Sequence, residues 1–142
     1  MNTNKFLTGT LVGGITYFLL GYLIYGLLLT GFFTQHSAAS AGSMKPLNEI
    51  VWWALIFGNL AGAALLTYVF LKQGNVKSFS TGASMGASIG FFMALSIDFI
   101  RYGTENTLDL IGTFGDVAAG TVMSAITGGV IGALLGMGKK PV

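Results

Sequence analysis

Four apolar stretches, roughly Phe6–Leu29, Asn48–Leu71, Phe79–Tyr102 and Leu110–Met137, divide the 142-residue chain. Each approaches or exceeds the ~20 apolar residues that carry a helix across a bilayer. The connections "TQHSAASAGSMKP", "KQGNVKS" and "GTENTLD" are short and hold most of the helix breakers, so no soluble domain fits between the spans. Only 8% of residues are charged and the mean hydropathy is +0.74, too little polar surface to clothe a water-soluble domain. The pattern predicts one all-α integral membrane domain over residues 1–142, a four-helix antiparallel bundle with lipid as its solvent. Lys5, the run to Leu29 and "SAASA" at 37–41 have the order of a secretory leader. The run outlasts the about 7–15 residues of a leader's apolar region, so it is read as a span.

Charge orients the chain. Lys5, Lys72, Lys77, Lys139 and Lys140 flank the N-terminus, the middle connection and the C-tail. Lys45, Arg101 and all five acids, Glu49, Asp98, Glu105, Asp109 and Asp116, fall on the other side. The positive-inside rule then places both termini in the cytoplasm and Trp52, Trp53, Phe32, Phe33 and Tyr102 near the outer interface. The lysines are scattered around apolar spans, which is no nucleic-acid footprint.

The stretch "GASMGASIG" at 82–90 repeats glycine every fourth residue. Extended outward, the third span reads Gly82, Gly86, Gly90, Ala94, Asp98, and the fourth, read backward, Gly136, Gly132, Gly128, Ser124, Gly120, Asp116. Residues four apart share a helix face. Two consecutive antiparallel helices with such faces are expected to close on each other, because small residues let backbones approach in lipid. Gly9 and Gly13 in the first span and Ala54, Gly58 and Gly62 in the second echo the pattern. Packing is the plain use of these ladders; a pore along the seam, or a contact between copies through Gly58 and Gly62, are the others. Bulky Tyr22, Tyr25, Trp52, Trp53, Phe91, Phe92 and Phe99 in the outer half predict a bundle that splays into an outward-facing cup.

Asp98, Arg101 and Asp116 form the candidate site. Asp98 and Arg101 share a helix face at i, i+3. With the third span centred near Gly90, Asp98 lies about 12 Å from the midplane, inside a half-thickness of about 15 Å. Ionisable residues at such depth face the interior and pair, or mark a pathway. One reading is a lock, with Arg101 paired to Asp98 and Asp116 and Asp116 serving as the acid of a capping pattern in "TFGD". The other is a cation, proton or ligand site at the mouth of the cup, with Glu49, Glu105 and Asp109 as an acidic rim. His36, the only histidine, reads as a solvated loop residue; Asn59 reads as hydrogen-bonding glue between helices.

Asp98, the turn "RYGTENTLD" and the fourth-span run "GDVAAGTVMSAITGGVIG" resemble the second half of a family of small bacterial four-helix membrane proteins of unknown function. Asp116, Gly120, Thr121 and Ser124 match that family's fourth-helix pattern. Ala119 stands where the family has an aromatic, Arg101 where it is uncharged, and the first span lacks its acid. The resemblance implies a bacterial inner membrane and no particular activity.

Several four-helix classes fit poorly. Small multidrug transporters need a first-span carboxylate, disulfide-type quinone reductases need cysteine pairs, and four-helix cytochromes need intramembrane histidines; the chain has no Cys and a single His. No nucleophile–base pair, phosphate loop or metal-ligand spacing appears, so neither an enzyme nor a cofactor or metal site is expected. The leading expectation is a structural or accessory membrane protein acting through helix contacts, as a homo-oligomer or with a membrane partner. The rival is a small transporter or ligand-binding cup built on Asp98, Arg101 and Asp116.

Overall fold

The computed structural model describes residues 2–38 and 45–137. Lys139 and Lys140, two of the charges that orient the chain, lie outside the described residues. The fold is all-α. In order come α1 (Thr3–Gly21), a π-helical segment (Tyr22–Leu28), α2 (Thr30–His36), a 3-10 turn (Leu47–Glu49), α3 (Trp52–Gln73), α4 (Phe79–Thr104) and α5 (Leu110–Gly136). Four helical stretches, Thr3–Leu28, Trp52–Gln73, Phe79–Thr104 and Leu110–Gly136, are long and apolar enough to cross a membrane.

Local chemistry sets the ends. Asn2 caps α1 by accepting from the Lys5 amide. Ser78 and Thr81 close a reciprocal capping box on α4. Gly74, at φ 73°, ends α3 in the left-handed conformation that a Cβ disfavours, and its N–H returns to the Phe70 carbonyl.

One boundary holds and one differs. The first span ends at Leu28, as expected, and a separate short helix follows at Thr30–His36, where Thr34 bonds back to the Thr30 carbonyl and α2 packs on α5. The second does not start at Asn48. Pro46, Leu47, Asn48 and Glu49 form a 3-10 turn, and α3 begins at Trp52.

α5 is the central helix: half of its most apolar window (50%) is buried within the protein, against 11%, 22% and 11% for the other three stretches in chain order. α4 packs on α5 along its length, α1 packs on α3 and α5, and α3 barely touches α4. The register of α4 on α5 is read from the glycines. A Cβ at Gly82 would run into the carbonyl of Gly128 and stand 2.9 Å from the Gly132 Cα. One at Gly86 would meet the Ser124 carbonyl, and one at Gly90 the Ser124 side chain. As α4 numbers rise, α5 numbers fall, so the two helices run in opposite directions with backbone on backbone. Gly136 faces not α4 but the Lys77 carbonyl just ahead of it.

α1 lies on α3 in the same manner, with Gly9 against Thr67, Gly13 against Ala63 and Ile131, and Gly14 against Leu60. A Cβ at Gly62 would stand 3.5 Å from the Tyr17 ring, so this glycine faces inward, whereas one at Gly58 would meet nothing within 4 Å. The apolar core sits near the Lys77 end, where Leu66, Phe70, Val76, Ile131 and Leu135 are buried together. Toward the Asp109 end α3 is covered less: Val51 through Gly58 are all exposed.

Candidate functional site

The Asp109 end gathers the polar chemistry. α5 starts there because Asp109, as N-cap, accepts from the Gly112 amide at 2.7 Å. This places Asp116 two turns inside the helix and removes it from any capping role. The π-helical segment turns Tyr25 toward α5. Its carbonyls pair five residues on, as in Leu29 N–H to Ile24 O at 2.8 Å, and Thr30 Oγ1 donates to the Tyr25 carbonyl at 3.0 Å. The Tyr25 hydroxyl donates to the Asp116 carboxylate, and the Tyr25 ring stacks on Phe33 at 5.3 Å.

Asp98 and Arg101 do not join this pair directly. The Arg101 Nε donates to Glu105 Oε2 at 3.3 Å, one turn along α4, and both side chains are about half exposed, 45% and 48%. A lock through Arg101 to Asp116 is therefore not the arrangement: the guanidinium turns to the exposed i+4 carboxylate, and a neutral phenol takes the buried role. Asp98 is half-buried and has no hydrogen-bonded or ion-paired partner among the described residues, while Asp116, Arg101 and Tyr25 lie within electrostatic reach of it.

No family model, curated protein or solved structure matches the chain.

His36 is not a free loop residue. It ends α2, with Nδ1 2.7 Å from the Asp109 Oδ2 and its ring on Phe32 at 4.6 Å. The backbone closes the same junction, with Ala38 N–H to Thr107 O at 3.0 Å and Asp109 N–H to His36 O at 2.9 Å. The adjoining depression, about 380 Å³, is lined by Gln35, His36, Tyr102, Glu105, Asn106 and Asp109 among others. It does not include Asp98, Arg101 or Asp116, the residues assigned to the expected cup. Among the described residues no group of three or more His, Asp and Glu side chains is placed to hold a metal ion.

Three cross-chain contacts had no local signature. Tyr25–Asp116 and His36–Asp109 join residues far apart in sequence, and Tyr17 donates to Ser124 Oγ at 2.8 Å beside the glycine seam. Asn59 does the opposite of what its position implies: its amide donates to the Leu55 carbonyl of its own helix at 2.7 Å.

Asp109 gives this end an acid sensitivity. The Gly112 amide, and after it the His36 ring, hold the Asp109 carboxyl below its ordinary value. A carboxylate whose folded value is depressed stabilises the fold above its unfolded value of about 3.9, and that contribution fades as pH falls through the folded value. Asp109→Asn should therefore flatten the acid limb of an unfolding titration below about pH 4. An acid limb of unchanged slope in the variant would show that the cap and the His36 contact do not bias Asp109.

Proposed function

We propose that the chain is a four-span integral membrane protein, with both termini cytoplasmic, that binds a proton or small cation in its outward half at Asp98 and Asp116. The orientation rests on the distribution of Lys5, Lys72 and Lys77 against the five acids. One observation carries the function: among the described residues Asp98, half-buried on a helix of membrane length, has no cation at ion-pair distance, because Arg101 is turned to Glu105. An ionisable group kept at this depth without a neutralising partner is costly in lipid, and such groups mark ion and proton paths. Tyr25 supports the reading, since a phenol can hold Asp116 in place without cancelling its charge.

A second reading keeps the chain as an accessory subunit, favoured by the exposed α3 half from Val51 to Gly58 with its open glycine. It is this reading that a stoichiometric partner protein in native mass spectrometry would support.

The test is flux into proteoliposomes loaded with a pH dye or, in parallel, a sodium- or potassium-sensitive dye, driven by an imposed potential. The native chain should pass protons or a monovalent cation, and Asp98→Asn should reduce that flux at least tenfold with little loss of thermal stability. Equal flux from native and variant vesicles, or a variant that merely unfolds sooner, would leave Asp98 a structural residue.

A further inference from the structure

Among the described residues α2 is the one α-helix too short to be a span. The 26 residues from Thr3 to Leu28 already rise ~39 Å at about 1.5 Å each, more than the ~30 Å of hydrocarbon. α2 is a further seven residues hung beyond that length. It joins through Leu29, at φ −109° and ψ 10°, outside helical geometry. Ahead of Leu29 runs the π-helical segment, a rare form that kinks helices and recurs at functional positions.

α2 rests on a seat made for it. Gly112 and Gly115 leave the first two turns of α5 bare on one side. A Cβ at Gly112 would stand 2.9 Å from the His36 Cβ, and one at Gly115 would run into the Phe32 ring. Phe33 is buried beneath and stacks on Tyr25. Polar ties hold the helix at both ends. At the tip are His36–Asp109 and the backbone bridge from Ser37 to Leu108; at the root is Tyr25–Asp116. The remaining surface, Thr30, Gly31, Thr34 and Gln35, is exposed. Hinges are a few element-terminal residues, and Leu29, between the π-helical segment and α2, holds such a position.

We propose that α2 is a lid over Asp116, latched in this structure, which swings about Leu29 and the π-helical segment to an open state in which Tyr25 releases the carboxylate. The motion would gate the Asp98–Asp116 site, but the geometry of hinge, seat and latch stands without any bound species. It is tested without one, so a failed flux experiment and a failed lid experiment are separate results.

The chain has no cysteine, so two introduced ones report cleanly. Nitroxides on Gln35→Cys and Val122→Cys, both exposed, measure the lid against α5 by pulsed electron resonance in bilayers. The native background should give one dominant distance. Adding His36→Gln with Asp109→Asn should open a second population, and Tyr25→Phe should enlarge it at least twofold. Latch variants that keep the single native distance overturn the proposal. Should a variant fail to fold, hydrogen exchange of the native chain decides. Amides of residues 30–36 should exchange at least a hundredfold faster than those of 9–21, and equal rates overturn it.

Discussion

Alanine at Gly86 should part the α4–α5 hairpin. Its Cβ would meet the Ser124 carbonyl and the Gly128 Cα at 3.0 Å, both backbone, so no side chain can rotate away. The helices must separate by a fraction of an ångström along a seam whose other contacts, Gly82 with Gly128 and Gly132, are equally close. Overpacking of this kind costs roughly 1–3 kcal/mol. In lipid the loss falls on close packing, a main force between such helices, since apolar side chains gain nothing by leaving a hydrocarbon solvent. Gly58→Ala is the internal control. With nothing within 4 Å it gains helix propensity, at most about 1 kcal/mol, and should be neutral or stabilising. Unfolding in mixed micelles of rising denaturing-detergent fraction reads both. If Gly86→Ala is as stable as Gly58→Ala, the glycines are not the close contact that this register requires.

The glycine stripes were legible in the sequence, although which residue meets which was not. Gly82, Gly86 and Gly90 repeat at a helical interval, and so do Gly128 and Gly132, so the periodicity alone put them on facing stripes. Element type was legible for the same reason, because runs of this length and apolarity have few alternatives to helix. What could not be read was pairing between distant polar groups. Spacing puts Asp98 and Arg101 on one face of α4 and Asp116 on the small-residue stripe of α5, but it does not choose a partner for the guanidinium. Glu105, four residues along the same helix, took it with no cost of bringing two helices together. Tyr25 reaches Asp116 only because a π-helical segment rotates the chain between Gly21 and Leu29, and nothing in the local composition announces such a segment. His36 was misread for a related reason: a separate short helix follows the apolar run, and the histidine landed on the Asp109 cap. Sequence period reveals faces; it does not reveal which polar atoms meet across them.

The Tyr25–Asp116 bond separates the two readings of the acidic pair most sharply. Hydrogen bonds to charged groups contribute about 1.5–3 kcal/mol, whereas exposed ion pairs contribute about 0–1 kcal/mol. Tyr25→Phe should therefore destabilise the protein by about 2 kcal/mol. Arg101→Leu, which loses the half-exposed contact to Glu105 and a longer-range attraction to Asp98, should cost less than about 1 kcal/mol. In a double-mutant cycle, Tyr25→Phe and Asp116→Asn should couple by about 1.5 kcal/mol, and Arg101→Leu should couple with neither. The opposite ranking, with Arg101 dominant and coupled to Asp116, would restore the lock and remove the case for an uncompensated carboxylate. The distinction has a functional edge. A guanidinium partner would hold Asp116 ionised and satisfied. A phenol donates one hydrogen bond to the carboxylate and leaves its negative charge in place, which is the condition that the proposed proton or cation binding requires.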